Sequence, residues 1–126
     1  MERITSLEQQ EPVDLDTERL EQLYLELGSK AADNVVCRAL EELAARLSRV
    51  GRCHGEGRLD DMVRNARGVA AMAGQLGMHR VAAVANDVIR CAGAGDPVAL
   101  AATLARLVRL GERCLTEIWD LQDLTI

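Results

Sequence analysis

The chain is predicted to be all-α, an antiparallel four-helix bundle with a short N-terminal lid helix. Three observations lead there. Apolar residues recur at three- and four-residue spacing in successive segments, and nowhere does apolar alternate with polar over five or more residues between turn signals. The apolar fraction of 48% is carried by Ala, Leu and Val, with no Phe, one Tyr and one Trp, a composition suited to closely packed helices. The 126 residues can bury one core and are too few for two. Residues 1–13, polar and ending near Pro12, read as a flexible arm, and 14–126 as a single helical domain.

The first helix is expected to start at a capping Asp14 or Asp16 and to end at Gly28, with Leu20, Leu23, Tyr24 and Leu27 as its apolar stripe. Ser29 can cap a second helix to about Val50, whose stripe is Val35, Val36, Ala39, Leu40, Leu43, Leu47 and Val50. The run GRCHGEG, with three glycines in seven residues, is expected to break the chain from Gly51 to Gly57. A third helix runs from about Leu59 to Leu76 and is closed by Gly77. A fourth, from about His79 to Ala92, buries Val81, Val84, Ala85 and Val88. In AGAGDP, Asp96 is an N-cap and Pro97 a first helical residue, opening a last helix to about Leu121 with Leu100, Leu104, Leu107, Cys114 and Ile118 inward.

Charge and cysteine usage exclude several classes of function. The net charge is −5, acidic residues crowd the first 26 positions, and arginines are spread from Arg38 to Arg113. Nucleic-acid binding needs a clustered basic face or stacking aromatics, and neither is written here. The N-terminus lacks an apolar targeting segment and no apolar run approaches the roughly 20 residues of a membrane span, so a cytoplasmic protein is expected. Cys37, Cys53, Cys91 and Cys114 form no C-x-x-C pair and are expected as reduced, partly buried thiols. The adjacent Cys53 and His54 are two possible metal ligands without a second pair, so no metal and no cofactor is expected. No phosphate loop follows a strand, no H-E-x-x-H occurs, and Asp60 with Asp61 reads as complementation of a helix dipole, so the chain is not expected to be an enzyme.

Each residue of a helix advances about 100°, which sets Leu59, Met62, Ala66, Val69, Ala73 and Leu76 on the core side of the third helix. Arg67 then points away, roughly 140° from the centre of that stripe. Around it on the outer face lie Asp60, Val63, Arg64, Ala70, Ala71 and Gly74. Exposed helix positions normally carry Glu, Lys or Gln, and Gly there costs about 1 kcal/mol relative to Ala. A face kept this bare fits either another helix of the same bundle or a docking partner centred on Arg67.

Residues 66–77, ARGVAAMAGQLG, resemble the hallmark helix of histidine-containing phosphotransfer (HPt) domains of bacterial multistep phosphorelays, approximately A-H-x-L-K-G-S-A-G-x-x-G. Ala66, Val69, Ala73, Gly74 and Gly77 agree in register. GRLDDMVRNA upstream and RVAAVANDV and AGDP downstream are similar to the flanking segments, so the resemblance covers about residues 15–120. Where the family has its phosphoaccepting histidine this chain has Arg67, and the helping lysine three residues on is Ala70, followed by Ala71 in place of Gly. The family's imidazole needs a free lone pair, which guanidinium lacks at every physiological pH.

The resemblance therefore implies a pseudo-phosphotransfer protein that binds a response-regulator receiver domain or a histidine kinase, with Arg67 and Arg64 offered to carboxylates and no residue catalytic. Two alternatives stand beside it. One is residual phosphotransfer through His79 or His54. The other is a homodimeric scaffold that self-associates through the bare face.

Overall fold

The computed structural model describes residues 12–13 and 15–124, with side chains through Asp120, and among these residues the chain is all-α. The helices are α1, Thr17–Leu27; α2, Ser29–Gly55; α3, Leu59–Gln75; α4, His79–Ala94; and α5, Pro97–Leu124. Extended backbone pairing among the described residues is confined to one antiparallel bridge between Leu15 and Met78. No helix among the described residues is long and apolar enough to cross a membrane. Asp14 and residues 1–11 of the expected arm lie outside the described residues.

Local signals fix most of the boundaries. The Asp16 carboxylate accepts from the Arg19 backbone N–H at 3.4 Å and caps α1, and the Gly28 N–H closes it on the Tyr24 carbonyl at 2.9 Å. Asp96 does the same for α5, accepting from the Ala99 N–H at 3.1 Å with Pro97 at the first helical position. The α3–α4 turn is a Schellman close. Gly77 sits at φ +81°, its N–H reaches the Gly74 carbonyl and the Met78 N–H reaches the Ala73 carbonyl at 2.8 Å, and Met78 is fully buried.

The exception is α2, which does not break at Gly51 but continues through it to Gly55. Helical Gly51 and Gly55 each cost about 1 kcal/mol, which burial of Val50 and Cys53 offsets. The stop comes at Gly57, φ +72°, whose N–H bonds the His54 carbonyl while the Arg58 N–H bonds the Cys53 carbonyl at 2.8 Å. The third glycine of the run, in the left-handed region, ends the helix.

Successive helices pack on one another, α1 on α2, α2 on α3, α3 on α4 and α4 on α5, and α5 packs back against α2. The helices come close at Gly111 of α5, where an added methyl would lie 2.6 Å from Leu47 Cδ1. One continuous core runs from Val36, Leu40 and Leu43 through Met62, Val69, Val81, Val84 and Val88 to Leu107, Leu110 and Ile118. Among the described residues no polar or charged side chain is buried.

The expected stripes hold in their centres and fail at their edges. Val35, at 46% exposed, lies about 100° from the middle of the α2 stripe, and its neighbour Val36 takes the core position. Leu59 and Leu27 stand at helix ends and are also exposed; side chains lean toward the helix N-terminus, so Leu59 overhangs the start of α3. Val13, in the stretch assigned to the arm, is buried in the core, and the Cys114 thiol donates to its carbonyl at 3.8 Å. None of the four cysteines is disulfide-bonded; Cys53 and Cys114 are buried, Cys37 and Cys91 half-buried. Burial pushes the Cys114 thiol up to about 12.

Candidate functional site

The face under consideration is the outer side of α3, and its position follows from the other side of the helix. Met62, Ala66, Val69 and Ala73 are completely buried, which fixes the rotation of α3 and turns Arg67 outward. Arg67, Arg64, Asp60 and Ala71 are exposed, and Gly74 is half-buried with nothing among the described residues within 4 Å of where a Cβ would stand. Val63 and Ala70 are half-buried and pack against the core, so they form the flank of the face and not its middle. No helix among the described residues covers the centre.

The two arginines of the face differ in their surroundings. Arg64, with its side chain 75% exposed, contacts Asp61 Oδ1 through Nη1 at 2.8 Å. Asp61 is a hub: its other oxygen accepts from Arg58 Nη2 at 2.8 Å and Nε at 3.1 Å, and its backbone carbonyl accepts from the Asn65 amide at 2.9 Å. The Arg58 guanidinium holds the Asp61 carboxyl below the usual carboxylate range. Arg58 also reaches Glu56 at 3.0 Å. Asp61 is thus more than a complement to the helix dipole; it ties the start of α3 to the loop before it and anchors Arg64. Among the described residues Arg67 makes no hydrogen bond and no ion pair.

A residue of this neighbourhood that sequence reasoning missed is Arg46. It comes from α2 and lies over the backbone of α3 at Gly68, where an added methyl would overlap its Nη1 and sit 2.9 Å from Cζ and 3.1 Å from Cδ. Arg46 Nε is 3.0 Å from Glu42 Oε1, an i,i+4 contact. That ion pair is legible from the spacing in α2, whereas the seat at Gly68 depends on how α2 and α3 pack.

Neither histidine lies on this face. His79, the first residue of α4, contacts Asp16 Oδ2 through Nε2 at 3.1 Å and holds that carboxyl below its ordinary value. Around this contact the Asp16 N–H donates to the Gly77 carbonyl at 2.8 Å and Arg19 Nε to the Gln75 carbonyl at 3.1 Å. Residues 15–19 are thereby strapped to the α3–α4 turn. His54 is half-buried in the last turn of α2 and so lies in a helix, not in a solvated loop. Its neighbour Cys53 is buried, and among the described residues no three His, Cys, Asp or Glu side chains gather as metal ligands.

A shallow concavity on α5, lined by Arg109, Glu112, Arg113, Thr116 and Glu117, mixes both signs of charge along a single helix and presents no convergent set of reactive groups. Compared with family models, with curated proteins and with solved structures, the chain matches none.

Proposed function

We propose that the chain is a phosphotransfer-type signalling module, cytoplasmic and bacterial, that binds a response-regulator receiver domain or a histidine kinase without accepting phosphate. In this reading α2 to α5 make an antiparallel four-helix bundle of HPt type, α1 is its lid, and α3 is the docking helix. The observation that carries it is Arg67, exposed in mid-helix, unpaired among the described residues, and standing where the resembled family has its phosphoacceptor.

The chemistry follows from that side chain. Phosphoryl transfer to nitrogen needs a lone pair directed at phosphorus, and a guanidinium has only N–H donors to offer. Those donors suit the opposite task, a planar fork that engages carboxylate or phosphoryl oxygens in two parallel hydrogen bonds. The low relief of Ala71 and Gly74 lets a partner approach the helix closely, and Arg64, held toward Asp61, adds a second cation at the rim. His79 has its ring nitrogen on Asp16 and His54 sits in another helix, which favours recognition over residual transfer through either.

The test is binding of purified receiver domains to the wild-type chain and to Arg67→Glu. Saturable binding that weakens by about 1 kcal/mol or more, roughly fivefold or greater in Kd, supports the reading. Absence of binding to every receiver of the source genome, or equal affinity of the two proteins, sinks it.

A further inference from the structure

The proposed docking face carries a third guanidinium that the sequence does not put there. Gly68 follows Arg67 directly and lies one helical turn beyond Arg64, and positions three and four apart on a helix are surface neighbours. Gly68 has no side chain of its own, and the volume one would fill is occupied by Arg46 of α2. Positions 64, 67 and 68 are in effect all arginine, two by sequence and one by packing.

Like charges at this spacing destabilise each other unless anions sit among them. Two are paired, Arg64 with Asp61 at 2.8 Å and Arg46 with Glu42 at 3.0 Å, whereas among the described residues neither Arg67 nor Asp60, the further carboxylate of this face, is in an ion pair. The contact with Glu42 is one of distance only, since Arg46 Nε is shielded from solvent and finds no partner in hydrogen-bonding geometry among the described residues. The Arg46 side chain is nonetheless 32% exposed, and it stands at Gly68, directly after Arg67.

We infer that Arg46, laid into the space above Gly68, is a partner-contacting residue of this face, and that its occupant is a carboxylate cluster on the docked receiver domain. The inference rests on the receiver-binding reading and adds a residue, a helix and a mode of placement to it. Charge complementarity selects the occupant. A surface bringing two or more carboxylates satisfies Arg67 and exchanges with Glu42 at Arg46, whereas an apolar partner would bury the Arg67 guanidinium unpaired. Gly68 is then the residue that sets specificity, because a larger side chain would push the guanidinium off the face.

The experiment measures Kd for a purified receiver domain at two salt concentrations, against the full chain and three variants. Arg67→Glu tests the reading. Arg46→Gln removes the third charge, and Gly68→Ala removes no charge but displaces Arg46, whose flexible end can move aside so that the helix stays intact. The expected results are a loss of at least fivefold for Arg67→Glu, a several-fold loss with a shallower salt dependence for Arg46→Gln, and a several-fold loss for Gly68→Ala. If Arg67→Glu weakens binding while either of the others stays within twofold of wild type, the role of Arg46 is overturned and the receiver reading stands. If no receiver binds, or Arg67→Glu binds like wild type, the reading falls and this inference with it.

Discussion

Gly77→Ala is the sharpest perturbation of the packing that holds the N-terminal strap, and Gly57→Ala is its control. Both glycines close a helix by the same Schellman pattern in the left-handed region, at φ +81° and φ +72°. An alanine there costs about 1–2 kcal/mol of backbone strain, partly offset by about 0.4–1 kcal/mol from a stiffer unfolded chain. At Gly57 nothing else is met, because no atom of the described residues lies within 4 Å of the new methyl. At Gly77 the methyl would lie 2.7 Å from the Asp16 carbonyl oxygen and 3.1 Å from Asp16 Cβ, both parts of a chain that cannot rotate away.

The strap must therefore lift. It takes with it the Asp16 N–H bond to Gly77, the Asp16–His79 contact and the Arg19 bond to Gln75. At about 0.5–1.5 kcal/mol for each of the two bonds to backbone carbonyls, and nothing counted for the exposed Asp16–His79 contact, the added loss is about 1–3 kcal/mol. Gly77→Ala should then cost about 2–4 kcal/mol and Gly57→Ala about 1 kcal/mol or less. Urea unfolding followed by helical circular dichroism reads the difference as a shift in midpoint at constant m. Equal costs within about 0.5 kcal/mol would refute the seating of residues 15–19 on the α3–α4 turn.

Two further outcomes are expected. The carboxyls of Asp16 and Asp61 are depressed in the folded chain, the first by His79 and the second by Arg58, so unfolding takes up protons in acid. The stability they supply is present above their ordinary value of 3.8 and is lost as pH falls through their lower folded values; urea midpoints should drop below about pH 4, and less steeply in Asp16→Asn, which keeps a capping oxygen but not the charge. Leu40→Ala, at a completely buried site, should cost about 2–5 kcal/mol, whereas Val35→Ala, 46% exposed, should stay within about 0.5 kcal/mol. Comparable losses at both would restore Val35 to the α2 stripe.

Sequence by itself determined what neighbouring residues decide among themselves. The cap at Asp96, an aspartate cap for α1 at position 14 or 16, the stop at Gly77 and the stripes Met62, Ala66, Val69, Ala73 and Val81, Val84, Ala85, Val88 all rest on interactions within one or two turns. Because the α3 stripe fixes how the helix is rotated, the outward aim of Arg67 was legible too. The Asp61 pairs with Arg58 and Arg64 were open to the same reading, since both lie at three-residue spacing.

Tertiary structure alone decided the rest. Which of three glycines ended α2 depended on whether Val50 and Cys53 found a core to enter, so Gly51 stayed helical against its propensity. Val35, Leu27 and Leu59 follow the apolar period, but at an edge or an end a neighbouring helix must supply the cover, and among the described residues none does. Arg46 arrives at Gly68 across 22 residues of chain because α2 lies on α3, and His79 meets Asp16 because the strap crosses the turn. Periodicity states which side of a helix is wet; only the packing of helices states what comes to lie on it.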